Sequence, residues 1–458
     1  MKQGSIEYRD SIVISKDQDR MSAAYARALN SPYKVFLAAF IISLPVTNAF
    51  AWSIWLPLPL SVIFAFLVLY IAEILYSRRV ANLFGTFGDT LLLAFLVSLY
   101  IASSINIDAF AIKQFNHLLS YTVVIGAYYF GAMILTRRAK VGLNEIIFWI
   151  TVAVIFASVF GIVEFAGKNI FNYDVDPMIP RNVGTRYNPT YAGVVVRARA
   201  FMSESGNFAL FLELFAPLVI AHWFGTGRKV LGGILSLVVM TALVTTFSAA
   251  AVAGLSFGMM FALIVYLATV FASMKISRSG LKTLILCLFG VALLAIMVAR
   301  NMDSDFVSGI TSKLTFSYSS VDDPESRLAR WRAVLPFIAE HPVFGLGPGG
   351  FLGSDGSGQG IVSWWLQIIV EGGLVSAALF FSFYVSVFIK ALRIRGIRKY
   401  AYIISLGAGA VHYSVISDYW LPWIWFLFVV ITMESRQSGV GRLGVDVSGK
   451  NGTARQHI

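Results

Sequence analysis

Charge and cysteine are both scarce in this chain. Of its 458 residues, 13% are charged and a single one is cysteine, against 57% that are hydrophobic. That little charge cannot coat the surface of a water-soluble globule, which excludes a string of ordinary soluble domains. The lone Cys287 lies in the apolar run Thr283 to Ala299, so an intramolecular disulfide and a cysteine-based metal site are excluded too. The first 34 residues lack the short apolar core and small-residue cleavage site of a signal peptide, so the first hydrophobic segment is expected to stay as an anchor. Also missing are a Walker or dinucleotide glycine pattern in strand context, a His-Glu-x-x-His pair, carboxylates at metal-ligand spacing and a nucleophile elbow. No cofactor and no metal is therefore expected.

What the chain has in quantity is apolar runs close to the roughly 20 residues that cross a bilayer. They fall at 35–52, 54–76, 89–105, 115–136, 144–167, 205–225, 230–248, 250–272, 283–299, 361–389, 400–415 and 419–434. The expectation is an all-α polytopic membrane protein: a cytoplasmic segment 1–34, about 12 transmembrane helices over 35–434, and a cytoplasmic tail 435–458. Charge placement supports the count. With the N-terminus inside, 25 of the 36 Lys and Arg fall on the cytoplasmic side, and the formal charge of +12 becomes an orientation signal that implies no nucleic-acid partner.

Ten of the remaining basic residues fall in two long external loops, 168–204 and 300–360, and eight of those ten are arginine. Loops of that length are uncommon unless they serve a function, and arginine suits bidentate phosphate recognition. Simple tolerance of charge in long translocated loops is the bland alternative. Within the second loop, Asp322-Asp323-Pro324-Glu325 caps a segment in which Leu328, Trp331, Leu335 and Ile338 recur at helical spacing. This predicts an amphipathic helix over 326–340 lying on the membrane surface, kinked at Pro336 and followed by an external glycine-rich loop, Gly345 to Gly360. The 14% aromatic content, including Trp364, Trp365, Trp420, Trp423 and Trp425, is expected to anchor the chain at the interfaces.

Three strings are specific. They are Ser326-Arg327-Leu328-Ala329-Arg330-Trp331-Arg332 continuing to His341-Pro342 and Gly345-Leu346-Gly347-Pro348-Gly349-Gly350-Phe351; Thr245-Thr246-Phe247-Ser248; and Arg197-Ala198-Arg199-Ala200-Phe201-Met202-Ser203-Glu204-Ser205. Over about 180–390 they resemble the O-antigen ligase and polymerase superfamily, the Wzy-type enzymes of polyprenyl-diphosphate-linked glycans, with Ser205 where proline is usual. The resemblance implies a GT-C-like fold in a bacterial inner membrane, with both termini cytoplasmic and a periplasmic active face. It also implies a metal-independent inverting glycosyltransferase that works on undecaprenyl-diphosphate-linked oligosaccharide among membrane lipids, with a chain-length regulator as a candidate partner. Such a reaction needs the departing diphosphate to be held, which points to Arg197, Arg199, Arg327 and Arg330. It also needs a group to receive a hydroxyl proton, which points to Glu204. Arg327 and Glu204 are thus the catalytic candidates, and His341, Arg332 and Glu371 the secondary ones. The null alternatives are a solvated cationic face for the arginines, a helix cap for Glu204 and a C-terminal cap for His341. Arg181 and Arg186 stand evenly between the two readings. Intramembrane Glu164 and Glu213 are functional candidates by their depth, balanced against packing contacts, and His222 lies on the wrong helical face to pair with Glu213.

One departure separates activities. Ligases of the superfamily carry a His-Asn or His-Ser pair before the late span, where this chain has Val362-Ser363, and no histidine occurs between His341 and His412. A polysaccharide polymerase of the O-antigen or exopolysaccharide type is the expected activity, with a ligase or protein O-oligosaccharyltransferase as the alternative and a lipid-linked saccharide flippase as the second.

Overall fold

The computed structural model describes residues 32–53, 56–77, 85–106, 111–181, 191–192, 195–273, 324–351 and 360–449. The expected span at 283–299 lies outside them. Among the described residues, the helices are α1 (Pro32–Ser43), α2 (Leu58–Ser77), α3 (Phe87–Ile105), α4 (Ile112–Ala139), α5 (Leu143–Ile170), α6 (Ser205–Gly225) and α7 (Lys229–Thr245). They continue with α8 (Ala249–Ser273), α9 (Pro324–Glu340), α10 (Trp364–Arg393), α11 (Ile397–His412) and α12 (Pro422–Gly449). Seven of these, α2 to α6, α8 and α10, are long and apolar enough to cross a membrane. A two-residue antiparallel pair, β1 (Tyr191–Ala192) with β2 (Val195–Val196), is the sheet described.

The first expected span is shortened. Helix α1 stops at Ser43, two residues before Pro45, which disfavours helical backbone at the residue preceding it. At about 1.5 Å per residue, twelve residues reach only about 18 Å. The chain beyond turns toward the 180–201 region, where Asn48 and Ala49 amides donate to the Phe201 carbonyl and the Phe50 amide to that of Pro180. Those bonds satisfy backbone that the helix no longer pairs.

Local sequence sets the other helix ends. Thr86 and Asp89 form a reciprocal capping box at the start of α3, with the Asp89 carboxylate accepting from the Gly85 and Thr86 amides. Helix α4 relaxes into a π turn over Val124–Gly131. Close packing follows small residues: Gly254 and Gly258 lie four apart on α8, and a Cβ on Gly258 would stand 2.4 Å from the Ile404 carbonyl of α11.

The tryptophans depart from the expected belt. Trp364, Trp423 and Trp425 are fully buried at the centre of the main core, Trp365 is half-buried and Trp420 is exposed. Burial is tolerated because the indole N–H groups find acceptors: Trp423 at the Leu44 carbonyl (2.7 Å), Trp425 at Tyr419 (2.8 Å), Trp365 at Ala410 (2.8 Å) and Trp364 at the Tyr121 hydroxyl (3.3 Å).

Candidate active site

Two of the three motif strings meet where α5 and α7 finish and α6 and α8 begin, and the third docks on α10 where α3 finishes and α4 begins. Residues 197–201 lie beside the end of α7. The Ala198 amide donates to the Thr245 carbonyl (3.0 Å) and the Arg197 Nε to that of Thr246 (2.8 Å), so the Arg-x-Arg string and Thr245-Thr246-Phe247-Ser248 form one unit. Both pass through left-handed backbone, at Ala200 (φ 50°) and Phe247 (φ 48°), a conformation that non-glycine residues hold only where their surroundings enforce it.

The loop's positive charge is largely answered from within. Asp176, which the sequence reading passed over, accepts from Arg181 (2.9 Å), forms an ion pair with Arg199 (3.1 Å) and contacts Lys168. Lys168 also bonds Glu164 at 2.7 Å, and the second oxygen of Glu164 accepts the Arg199 and Ala200 amides at 3.0 and 2.7 Å. Burial works against the Asp176 charge, yet Lys168, Arg181 and Arg199 outweigh it and hold the carboxyl below its ordinary value. Breaking such a buried network by removing one member costs on the order of 3 kcal/mol. Arg181 also donates to the Met202 and Ala200 carbonyls, so it clasps the string, and Glu164 acts as its backbone clamp.

Arg197 and Arg199 are themselves 9% and 6% exposed, with Arg199 also bonding the Ser203 carbonyl. Glu204 occupies the N-cap position of α6, but its carboxylate makes no capping bond. Glu213, further along α6, pairs with His412 of α11 at 2.8 Å. That partner is 199 residues distant in the chain. Arg186 lies outside the described residues.

The second unit is α9 with the segment after it. In place of a surface-lying stripe of Leu328, Trp331, Leu335 and Ile338, the helix buries Val334 against Phe351, Ile361 and Val370, with Trp331, Phe337 and Ile338 half-buried and Leu335 exposed. It continues through Pro336 to Glu340. Arg330 is half-buried, and Arg332, Glu340 and His341 are exposed; Arg327 lies on this helix, its side chain outside the described ones.

The glycine-rich segment, expected as an external loop, docks into a span; 352–359 lie outside the described residues. Helix α10 is broken at Gly373 (φ 68°, ψ −175°), and the bonds lost by the break are made by residues 342–347. The Leu346 and Gly347 amides donate to the Val370 and Glu371 carbonyls at 2.9 and 2.8 Å, while the Leu374 and Val375 amides donate to Pro342 and Val343 at 2.9 and 3.3 Å. Irregular backbone inside a span is tolerated when protein satisfies it. Neither partner admits a side chain: a Cβ on Gly345 would meet the Val370 carbonyl at 2.5 Å, and one on Gly373 the Val343 carbonyl at 2.2 Å. The Glu371 carboxyl completes the joint, accepting from Gln367 (3.0 Å) and the Gly349 amide. Asn106 and Gln114 close it from α3 and α4 by donating to the Gly345 and Leu346 carbonyls.

No curated protein matches the chain. Residues 233–381, from the first turns of α7 through the break in α10, match the family model Wzy_C, described as O-Antigen ligase, and over that segment the chain is similar to the O-antigen ligase and polymerase superfamily.

Proposed function

We propose that this protein is a polysaccharide polymerase of that superfamily. It transfers a growing glycan from one undecaprenyl diphosphate to a lipid-linked repeat unit, on the periplasmic side of a bacterial inner membrane, without a metal and with inversion. One observation supports the reading: the reciprocal joint between residues 342–347 and the broken α10 holds α9, which carries Arg327 and Arg330, while the string of Arg197, Arg199 and Glu204 is held on the end of α7. Arg327 and Arg330, three apart on one helix, clamp the departing diphosphate. Arg197 and Arg199 form the wall opposite, and Glu204 lies open to an incoming hydroxyl. Arg332, exposed on the same helix, and His341, at its end, flank the donor; Glu371 shapes the joint beneath it.

The ligase alternative is disfavoured because the position before α10 holds Val362-Ser363, and the next histidine along the chain, His412, is buried against Glu213. Ser363 instead caps α10, accepting from the Leu366 amide. Purified protein in vesicles of neutral and anionic lipid, supplied with lipid-linked single repeat units and nothing else, should extend them into a ladder of longer lipid-linked chains. A protein that only moves such lipids between leaflets gives no ladder, and that result removes the enzymatic reading.

A further inference from the structure

The dipeptide Asp418-Tyr419, in the connection between α11 and α12, belongs to none of the three motif strings yet touches two of their units. The Asp418 carboxylate accepts from the Asn207 amide in the first turn of α6. Asn207 also donates to Ser203 of the arginine string at 2.9 Å. Tyr419 faces the other unit. Its ring stacks on Tyr121 (centroids 3.9 Å apart, planes at 4°) and its hydroxyl pairs with His117 Nδ1 at 3.1 Å. The His117 ring in turn packs on Gly349, where a Cβ would come within 2.8 Å of it. The backbone of the connection is fixed to α10 as well, since the Trp364 amide donates to the Tyr413 and Ile416 carbonyls at 3.0 and 2.9 Å. Two neighbouring residues therefore bridge the arginine string to the glycine segment that holds α9.

The groups around Asp418 suit proton transfer. The charges of Glu204, at the start of α6, and of His412, at the end of α11, both act on it. His412 is oriented from behind, its Nδ1 bonded to the fully buried Glu213 at 2.8 Å and its Nε2 4.0 Å from where a Cβ on Gly206 would stand. One Glu213 oxygen, Oε1, has no hydrogen-bond partner among the described residues. Burial, and then the charge of Glu204, push the Asp418 carboxyl up to about 6, with Asn207 and His412 acting the other way.

Resting on the polymerase reading above, we propose that Asp418 receives the proton of the acceptor hydroxyl, with Glu204 as its paired carboxylate and His412 as a positioning residue. In this step the hydroxyl O–H bond breaks and its proton passes to the Asp418 carboxylate. The oxygen forms its bond to the anomeric carbon of the donor, and the bond from that carbon to the diphosphate oxygen breaks. The electron pair leaves with undecaprenyl diphosphate, and Asp418 later returns the proton to water.

Elongation of lipid-linked repeat units by full-length protein in vesicles, followed from pH 5 to 8, tests this. Wild-type kcat should rise with pH through about 6, as the base ionises, and then level. Asp418→Asn should lower kcat by roughly 10² to 10⁴ with donor KM little changed, and Asp418→Glu should restore part of it with a displaced inflection. Glu204→Gln removes a neighbouring negative charge and should move the inflection to lower pH, a response a purely structural role would not give. If Asp418→Asn elongates within about twofold of wild type and keeps the rise through pH 6, while Arg327→Ala abolishes elongation, the assignment of Asp418 is overturned and the polymerase reading stands. If the wild type itself makes no longer chains, the polymerase reading falls and this assignment with it.

Discussion

Arg327→Ala should leave single lipid-linked repeat units and no long polymer in cells whose membranes still contain the protein. The departing group carries two phosphates, and a fixed guanidinium aimed at charge that develops in the transition state typically contributes about 10² to 10³ in rate. In the proposed clamp Arg327 and Arg330 stand three residues apart on α9, so the loss of one should halve the clamp rather than shift it. The helix itself should survive the change. Its hold on the bundle runs through Val334, Phe337 and Ile338 against Phe351, Ile361 and Val370, and through the joint at Gly373. Arg327→Lys keeps the charge and loses the bidentate fork, so it should fall between. The exposed Arg332 offers the control: its replacement by Ala should shorten chains far less. Long polymer of ordinary length from Arg327→Ala, seen on a gel of extracted glycan, would remove α9 from the chemistry.

Gly373→Val is expected to be as damaging through an entirely different route. A side chain at φ 68° meets strained backbone, worth about 1 to 3 kcal/mol, and its Cβ would also stand 2.2 Å from the Val343 carbonyl. That oxygen is backbone on the partner side of the joint and cannot swing aside as a flexible side chain would. The expected loss is about 4 kcal/mol or more, read as a clear drop in Tm for protein in detergent, together with loss of polymer. Gly372→Ala, next door but without positive φ, meets the Ser376 side chain at 2.5 Å and Leu99 at 3.0 Å, with no backbone among its three nearest atoms, and should cost less. An unchanged Tm for Gly373→Val would show that residues 342–347 do not brace the break in α10.

Much of the fold was readable from hydrophobic runs, because a span must be apolar along its whole length wherever its neighbours are. The tryptophans and the joint were not. An aromatic residue near a span end has the same composition whether it faces lipid or the core, and what distinguishes Trp364, Trp423 and Trp425 is an acceptor far away in the chain, such as the Leu44 carbonyl. Glycines at 345, 347 and 349 read as a loop since nothing local shows that residues 342–347 complete the backbone of α10; the one available hint was Gly372-Gly373 following Glu371 within a span. In the candidate site, the arginines stood out by breaking the positive-inside pattern. Their neutralisation did not, because Asp176 gains its meaning only when the chain folds Lys168, Arg181 and Arg199 around it. Asp418 and His412 were hidden for the same reason, as their partners Asn207 and Glu213 lie about 200 residues earlier.

The distinction between polymerising and ligating a glycan rests on what accumulates when the gene is lost. In a deletion strain, the lipid fraction should contain single repeat units on undecaprenyl diphosphate, with restoration of long chains by the wild-type gene. Accumulation of long, lipid-linked polymer that is never passed to a final acceptor would contradict the account, since that is the product left when a ligase is missing.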